Sequence, residues 1–151
     1  MKISDFLSPA NVMLDIKSSD KGHLLQRLSM QAAAELGLDP EEVATQIVKR
    51  EELGSTGVGN GVALPHARLA GLKAPFGLFA RLRRGIDFEA IDDQPVDIVF
   101  LLLLPETAHG EQLNALACAA RVLRNPVTLS QVRSAPDPDA LFQAITEPGT
   151  A

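Results

Sequence analysis

The 151-residue sequence contains no Trp, no Tyr and a single Cys, and these absences exclude several classes of protein. Without Trp or Tyr, the chain has few rings that could stack on nucleobases or sugars. The lone cysteine, Cys118, cannot form an internal disulfide and fits a reducing compartment. The formal net charge of −5 also argues against a broad nucleic-acid surface. We therefore expect no nucleic-acid partner.

Long hydrophobic runs are also missing from the sequence. The longest purely apolar stretch, residues 98–104, is far too short to span a bilayer, and the N-terminus has no signal-peptide pattern. We expect a cytoplasmic protein that is not embedded in a membrane. Apolar residues make up 46% of the chain, which is enough to form a core, so we expect residues 1–151 to form one domain.

Hydrophobic periodicity and helix-capping signals predict an α/β fold. Strands are predicted at residues 12–16, 62–64, 76–82 and 98–104, and helices at residues 18–36, 39–50, 111–124 and 137–145. The Asn125-Pro126 pair is predicted to end the third helix. The apolar strand at residues 98–104 should be buried on both faces, which requires helices on both sides of the sheet. The predicted architecture is a three-layer α-β-α sandwich with a mixed central sheet.

A glycine-rich loop at residues 54–61 precedes the second predicted strand. Its spacing matches neither the Walker A loop nor the dinucleotide fingerprint, so nucleotide binding has no support. Glycines allow successive backbone N–H groups to converge on an anion, and Ser55 and Thr56 add hydroxyl donors. The alternative is a flexible connection between a helix and a strand.

His66 and Arg50 flank this loop and are the candidates for chemistry. His66 follows a short strand and Pro65, and a neutral imidazole is a competent nucleophile toward phosphorus. It could also be a histidine that only forms hydrogen bonds. Arg50 could be a cation near a helix C-terminus or a forked donor to phosphoryl oxygens. The three histidines are too widely spread to predict a metal site, and no cofactor is predicted.

Residues 49–66, KREELGSTGVGNGVALPH, carry a family resemblance. They closely resemble the active-site segment of phosphotransferase-system (PTS) enzyme IIA domains of the fructose/mannitol type, EIIA type 2. That segment reads Arg-Glu, a Ser-Thr-Gly turn and then Ala-(Ile/Leu)-Pro-His. The resemblance continues in residues 96–100, in the third helix and in the last helix. Since no other phosphotransfer or membrane module is fused to it, the chain is most similar to the nitrogen-regulatory members.

The resemblance implies a role for each residue of this segment. His66 would accept a phosphoryl group on its tele nitrogen, Nε2, from a phosphohistidine on a small HPr-like phosphocarrier protein. Arg50 and the turn formed by Ser55, Thr56 and Gly57 would hold the phosphoryl oxygens. The protein would then be a phosphotransferase that needs no cofactor and acts on regulatory protein targets.

One position departs from the family pattern. The family usually has a second histidine immediately before the first leucine of the third helix, and Gln112 occupies that position here. Either Gln112 replaces the imidazole as a donor, or His109 reaches the site from the preceding loop.

Two other functions stay open at the level of the sequence. The first is a sugar-specific IIA carrier that passes its phosphate to a IIB partner. The second belongs to another class: an anion-sensing or partner-binding module whose His66 is never phosphorylated.

Overall fold

The computed structural model describes residues 1–107 and 109–147, with His109 and residues 111–113 described by their backbone alone. In this part of the chain two short 3₁₀ turns, Ile3–Asp5 and Pro9–Asn11, precede six strands and five helices. In chain order these are β1 (Val12–Ile16), α1 (Lys21–Leu36), α2 (Pro40–Glu52), β2 (Gly57–Gly59), β3 (Val62–Ala63), β4 (His66–Leu69), β5 (Phe76–Ile86), β6 (Val96–Pro105), α3 (His109–Leu123), α4 (Pro126–Ser134) and α5 (Pro138–Thr146). None of the helices among these residues is long and apolar enough to cross a membrane.

Capping residues explain where the helices begin and end. The Asp20 side chain accepts the His23 N–H at the start of α1, and Gly37 ends that helix in the left-handed conformation at φ 67°. The prediction for Asn125-Pro126 was incomplete, because this pair also begins a helix. The Asn125 side chain accepts the N–H groups of Val127 and Thr128 and caps α4, which the sequence reading did not predict.

The sheet is mixed, as predicted. Its strand order is β1-β5-β6-β3-β2, and β4 also pairs with β6. The pairs β1–β5, β3–β6 and β4–β6 are parallel, whereas β5–β6 and β2–β3 are antiparallel. The central strand β6 is therefore covered along both edges, and its main-chain groups are used within the sheet.

Side chains of β6 alternate between two apolar cores. Val99, Leu101 and Leu103 pack with α1 and α2 on one face. Phe100 and Leu102 pack with α3, α4 and α5 on the other face. This period of two produces the predicted three layers, with helices on both sides of the sheet. Cys118 lies buried in the second core, as a small apolar residue would.

β3 and β4 pair with the same edge of β6 and would form one continuous strand if they were not interrupted at Leu64 and Pro65. Ala63 pairs with Val99 and His66 pairs with Leu102, so the register along β6 is the same on both sides of the gap. Pro65 has no N–H to donate to the ladder, which accounts for the interruption. The predicted strand ended at Leu64, whereas in the structure a further strand, β4, begins at His66.

Candidate functional site

The two ring nitrogens of His66 have different surroundings. Nδ1 lies 3.0 Å from the carbonyl oxygen of Leu64. Because a carbonyl oxygen can only accept, Nδ1 carries the hydrogen and donates it. The lone pair is then on Nε2, which accepts a hydrogen bond from Arg50 Nε at 3.3 Å. The interrupted strand therefore fixes one tautomer of His66 and directs Nε2 toward Arg50.

The surroundings also lower the pKa of His66 below its ordinary value of 6.5. Burial is the largest cause, because desolvation disfavours the imidazolium form. The hydrogen bond to Leu64 opposes this shift, the positive charge of Arg50 adds to it, and Glu51 opposes it. The balance favours a neutral ring with a free lone pair at neutral pH.

Arg50 lies in the last turn of α2 and connects the helix to the glycine-rich loop. Its Nη1 donates to the carbonyl oxygen of Gly54 at 3.0 Å, while its Nε donates to His66. The fold thus brings together two side chains that are sixteen residues apart in sequence. The third nitrogen of the Arg50 guanidinium, Nη2, forms no hydrogen bond with the described residues.

His66 lies in an open depression of about 430 Å³ between α2, β4, the end of β6 and α3. Gln46, Lys49, Arg50, Leu53, His66, Ala67, Arg68, Leu104 and Leu116 line it. Lys49 and Arg68 are exposed, so Arg50 is one of three cations around the imidazole. Such a surface favours a negatively charged group near Nε2. No group of three or more His, Cys, Asp or Glu side chains in the described chain is arranged to hold a metal ion.

Ser55, Thr56 and Gly57 do not line this depression. The Ser55 hydroxyl donates to the Phe88 carbonyl oxygen at 2.7 Å and accepts from the Gly57 N–H at 3.1 Å. The Thr56 hydroxyl donates to the buried carboxylate of Glu51 at 2.7 Å. A Cβ on Gly57 would lie 2.7 Å from the Cβ of Ala90, so the close packing here requires glycine. The structure shows these residues shaping the loop, and their phosphoryl contacts stay a prediction.

The two candidates for the auxiliary position, Gln112 and His109, have side chains outside the described part of the structure. Their backbone belongs to α3, which begins at His109. Position 112 precedes Leu116 by four residues, and Leu116 lines the depression. The structure therefore places the first turns of α3 beside the His66 site without choosing between the two side chains.

Sequence reasoning missed several groups that build this site. Lys49 and Arg68 add positive charge beside His66, and each had a signal in its spacing: Lys49 is adjacent to Arg50, and Arg68 shares a strand face with His66. Glu51 is buried and accepts from Thr56, and Lys21 Nζ lies 3.3 Å from its carboxylate. The role of the Leu64 carbonyl had no signal in the sequence, because every residue has a backbone carbonyl.

Comparison with known proteins adds to this geometry. Residues 5–147 match the family described as "Phosphoenolpyruvate-dependent sugar phosphotransferase system, EIIA 2". The chain is 43% identical to a "Nitrogen regulatory protein" of Bradyrhizobium diazoefficiens, over 98% of this chain and 97% of that protein. It is 35% identical to a "Nitrogen regulatory protein" of Pseudomonas aeruginosa, over 97% and 96% of the two chains.

A solved structure agrees with these two relatives. The crystal structure of nitrogen regulatory protein IIA-Ntr from Neisseria meningitidis superposes with a TM-score of 0.91 at 33% identity, covering 95% of this chain and 99% of that one. The family match spans nearly the whole chain and includes α2, the glycine-rich loop and β4, which together hold His66 and Arg50. The protein belongs to the EIIA 2 family of the phosphoenolpyruvate-dependent sugar phosphotransferase system.

Proposed function

We propose that the protein is a nitrogen-regulatory phosphoryl carrier that holds the phosphoryl group on Nε2 of His66. The single observation that carries this proposal is the fixed tautomer: Nδ1 donates to Leu64, and Nε2 faces Arg50 in an open depression. The donor would be a phosphohistidine on a small HPr-like phosphocarrier protein. A lone cysteine fits a reducing compartment, so we place the exchange in the cytoplasm.

The transfer is a displacement at phosphorus between two imidazoles. The Nε2 lone pair of His66 forms the new N–P bond while the N–P bond of the donor phosphohistidine breaks, and the donor imidazole takes back its electron pair. The His66 ring becomes more positive as its bond forms, and the Nδ1–H bond to Leu64 stabilises that charge. The transition state is loose, so positioning and charge stabilisation contribute more than covalent chemistry.

Arg50 has two roles in this reaction. Before transfer it donates to Nε2 and holds the ring in place. That bond must break when phosphorus approaches, which frees the guanidinium to donate to the phosphoryl oxygens. Lys49 and Arg68 add positive charge at the rim of the depression. Removing one oriented donor to developing charge costs roughly two to three orders of magnitude in rate in other enzymes.

The start of α3 supplies further stabilisation in this proposal. Helix N-termini attract anions, and α3 begins next to the depression. Gln112 would donate its side-chain amide to a phosphoryl oxygen, with His109 as the competing candidate. Ser55, Thr56 and Gly57 would contribute by shaping the loop beside Arg50, and a direct phosphoryl contact would require the Thr56 N–H to leave Glu51 or the Gly57 N–H to leave Ser55 Oγ.

A regulatory role rather than a sugar-specific one is supported by the relatives of nearly equal length, which are named nitrogen regulatory proteins. Phosphorylation would add about −1.5 to −2 charges to the cationic depression around His66. A target protein that docks there would distinguish the free form from the phosphorylated form. In a sugar-specific carrier, the same group would instead pass to a IIB partner.

Phosphorylation by a purified general phosphocarrier tests the proposal. We expect one acid-labile phosphoryl group per chain, located on His66 by mass spectrometry, with Nε2 identified from the ring nitrogen shifts. His66→Ala should abolish the modification. His23→Ala is the matched control, because His23 is also a surface histidine, with its Nδ1 2.9 Å from Ser18 Oγ. Normal phosphorylation of folded His66→Ala would refute the assignment to His66, and a wild type that accepts no phosphoryl group would favour the anion-sensing alternative.

A further inference from the structure

A second depression, distinct from the His66 site, lies at the opposite end of β5. It has a volume of about 390 Å³ and is lined by Lys17, Ser18, Arg83 and Arg84. His66 pairs with Leu102, which in turn pairs with Gly77 of β5, whereas Arg83 lies six residues further along. At about 3.3 Å per residue, the two depressions are roughly 20 Å apart along the sheet. We call this second depression the basic depression.

Within the described part of the chain, the cations of the basic depression have no anionic partner. The charged ends of Lys17, Arg83 and Arg84 form no ion pair and no hydrogen bond among the described side chains. Other arginines of this fold do: Arg81 Nη2 lies 3.1 Å from Asp15, and Arg133 Nη2 lies 3.0 Å from Asp97. The basic depression therefore gathers three uncompensated cations of the described chain, as the depression around His66 does, although the net charge of the chain is −5.

The fold brings these cations together by a local irregularity. β1 and β5 are parallel with Ile16 opposite Leu82, so Lys17 and Arg83 continue side by side. The pairing of β5 with β6 shifts register between Arg81 and Ile86, and this bulge lies beside Arg83 and Arg84. Bulges re-aim side chains, and this one gives two successive arginines access to the same depression.

The backbone beneath the cations is fixed by other contacts. Arg27 of α1 donates from Nη1 to the carbonyl oxygen of Lys17 at 3.0 Å. Ser18 Oγ lies 3.2 Å from the carbonyl oxygen of Asp20 and 2.9 Å from His23 Nδ1. The strand end that carries Lys17 is therefore anchored to α1 by hydrogen bonds from within the chain.

We propose that the basic depression binds a small anion that carries two linked phosphate groups. Guanidinium groups bind phosphate oxygens through two parallel N–H donors, and Lys17 adds a point charge. Three positive charges exceed the charge of about −1.5 to −2 on one phosphate monoester, so two phosphate groups give a better match. Among the described residues that line the depression there is no aromatic or aliphatic side chain, so the proposed recognition is of the phosphate groups alone.

Isothermal titration of the full chain with inorganic pyrophosphate tests this proposal. We expect saturable binding, weaker binding of orthophosphate, and a loss of at least about tenfold in pyrophosphate affinity in Arg83→Gln/Arg84→Gln. Arg121→Gln/Arg124→Gln is the matched control, because it removes the same charge from exposed positions of the chain and should bind normally. Backbone amide shifts at Ser18 should move on titration of the wild type and stay fixed in the first double variant.

Two further measurements distinguish binding at the basic depression from binding at His66 and from recognition of a nucleotide. In His66→Ala/Arg50→Gln, which weakens the cationic depression around His66, the shift of the Ser18 amide on pyrophosphate titration should persist, so the outcome does not depend on the proposed carrier function. ADP should bind with an affinity similar to that of pyrophosphate, since only the phosphates are held. The proposal is overturned if the wild type does not bind pyrophosphate, if Arg83→Gln/Arg84→Gln binds it normally while folded by circular dichroism, or if ADP binds and pyrophosphate does not.

Discussion

The protonation state of His66 determines whether its Nε2 can attack phosphorus. Burial first, and the Arg50 charge in addition, hold the pKa below 6.5 against the opposing effects of Leu64 and Glu51. The acceptance rate should therefore be constant above the lowered pKa and fall as the pH drops through it. We predict an apparent pKa below 6.5 for phosphoryl acceptance. Initial rates between about pH 5 and pH 8 and an NMR titration of the His66 ring measure it.

Arg50→Gln provides the variant for this experiment, because it removes the charge and keeps a donor. Its His66 pKa should rise toward the ordinary value, while exposed Arg121→Gln should leave the titration unchanged. The lowered pKa also affects folding: the unfolded chain binds the proton more tightly, so stability contributed by neutral His66 is lost as the pH falls from 6.5 through the folded pKa. An identical His66 titration in Arg50→Gln and the wild type would contradict the proposed electrostatic contact.

Some properties of individual residues could be predicted from the sequence and others could not. The Ala-Leu-Pro-His pattern and the preceding Arg50 predicted two side chains that the structure brings within 3.3 Å. The Leu64 carbonyl, which fixes the tautomer of His66, could not be predicted, because backbone groups have no residue-specific signal. The turn at Ser55 and Thr56 was predicted to hold phosphoryl oxygens, which stays a prediction; the sequence did not reveal that the two hydroxyls donate to Phe88 and Glu51.

The connection from α2 to β2 depends on one buried carboxylate. Glu51 accepts from the Thr56 N–H at 2.9 Å and lies 3.3 Å from Lys21 Nζ. Glu51→Gln keeps the size and one acceptor oxygen, but it removes the charge that Lys21 pairs with and one of the two oxygens that accept from Thr56. Lys21 keeps its contact with Glu89, so we predict a loss of about 1–3 kcal/mol in the free energy of unfolding rather than the larger cost of a fully isolated charge. Urea denaturation measures this change.

Glu52→Gln is the control for this prediction. Glu52 is the next residue of α2, but it is exposed and has no ion pair among the described residues, so its substitution should change stability by no more than about 0.5 kcal/mol. Equal stability of Glu51→Gln and Glu52→Gln would show that the buried network does not hold the loop. A changed His66 ring shift in Glu51→Gln alone would link the network to the site.

At the level of secondary structure, segments with a clear alternation or an unambiguous cap were predicted well, and segments without such a signal were not. β1 and the start of α5 match their predictions, because alternation and an Asp-Pro cap signal both. α4 is as long as α5, but its Asn125-Pro126 start was interpreted only as the end of α3. β5 continues to Ile86, beyond the predicted residue 82. The prediction stopped early because the residues after 82 are mostly polar and exposed, next to a bulge in the pairing with β6.

The layer architecture of the whole molecule followed from one strand, but its topology did not. An apolar run at residues 98–104 has no exposed face, so helices were required on both sides of the sheet. The parallel pairing of β3 and β4 with β6 joins segments about 36 residues apart in sequence, as Ala63 with Val99 shows. Such pairings depend on packing between distant segments, which local periodicity does not report.

The surface around His66 combines positive charge with an exposed apolar side chain, as a docking site for another protein does. Leu53 is 84% exposed and lines the depression together with Lys49 and Arg68. We predict that Leu53→Asp slows transfer from a phosphocarrier protein by about tenfold to a hundredfold, because it removes an apolar contact and adds a charge at the centre of the interface. Stopped-flow measurement of transfer at limiting protein concentration gives this rate.

Two comparisons separate docking from chemistry in the Leu53→Asp variant. Ile91→Asp is the matched control, since Ile91 is 83% exposed and does not line the depression, and its transfer rate should equal that of the wild type. A small phosphoramidate reaches Nε2 without a protein interface, so the Asp charge should slow this reaction far less than it slows transfer from the phosphocarrier protein, and Ile91→Asp should not change it. If Leu53→Asp slowed the phosphoramidate reaction as much as the protein reaction, Leu53 would act on the imidazole itself. If neither reaction slowed, the donor would approach His66 from another side, across Lys49 and Arg68 or along α3.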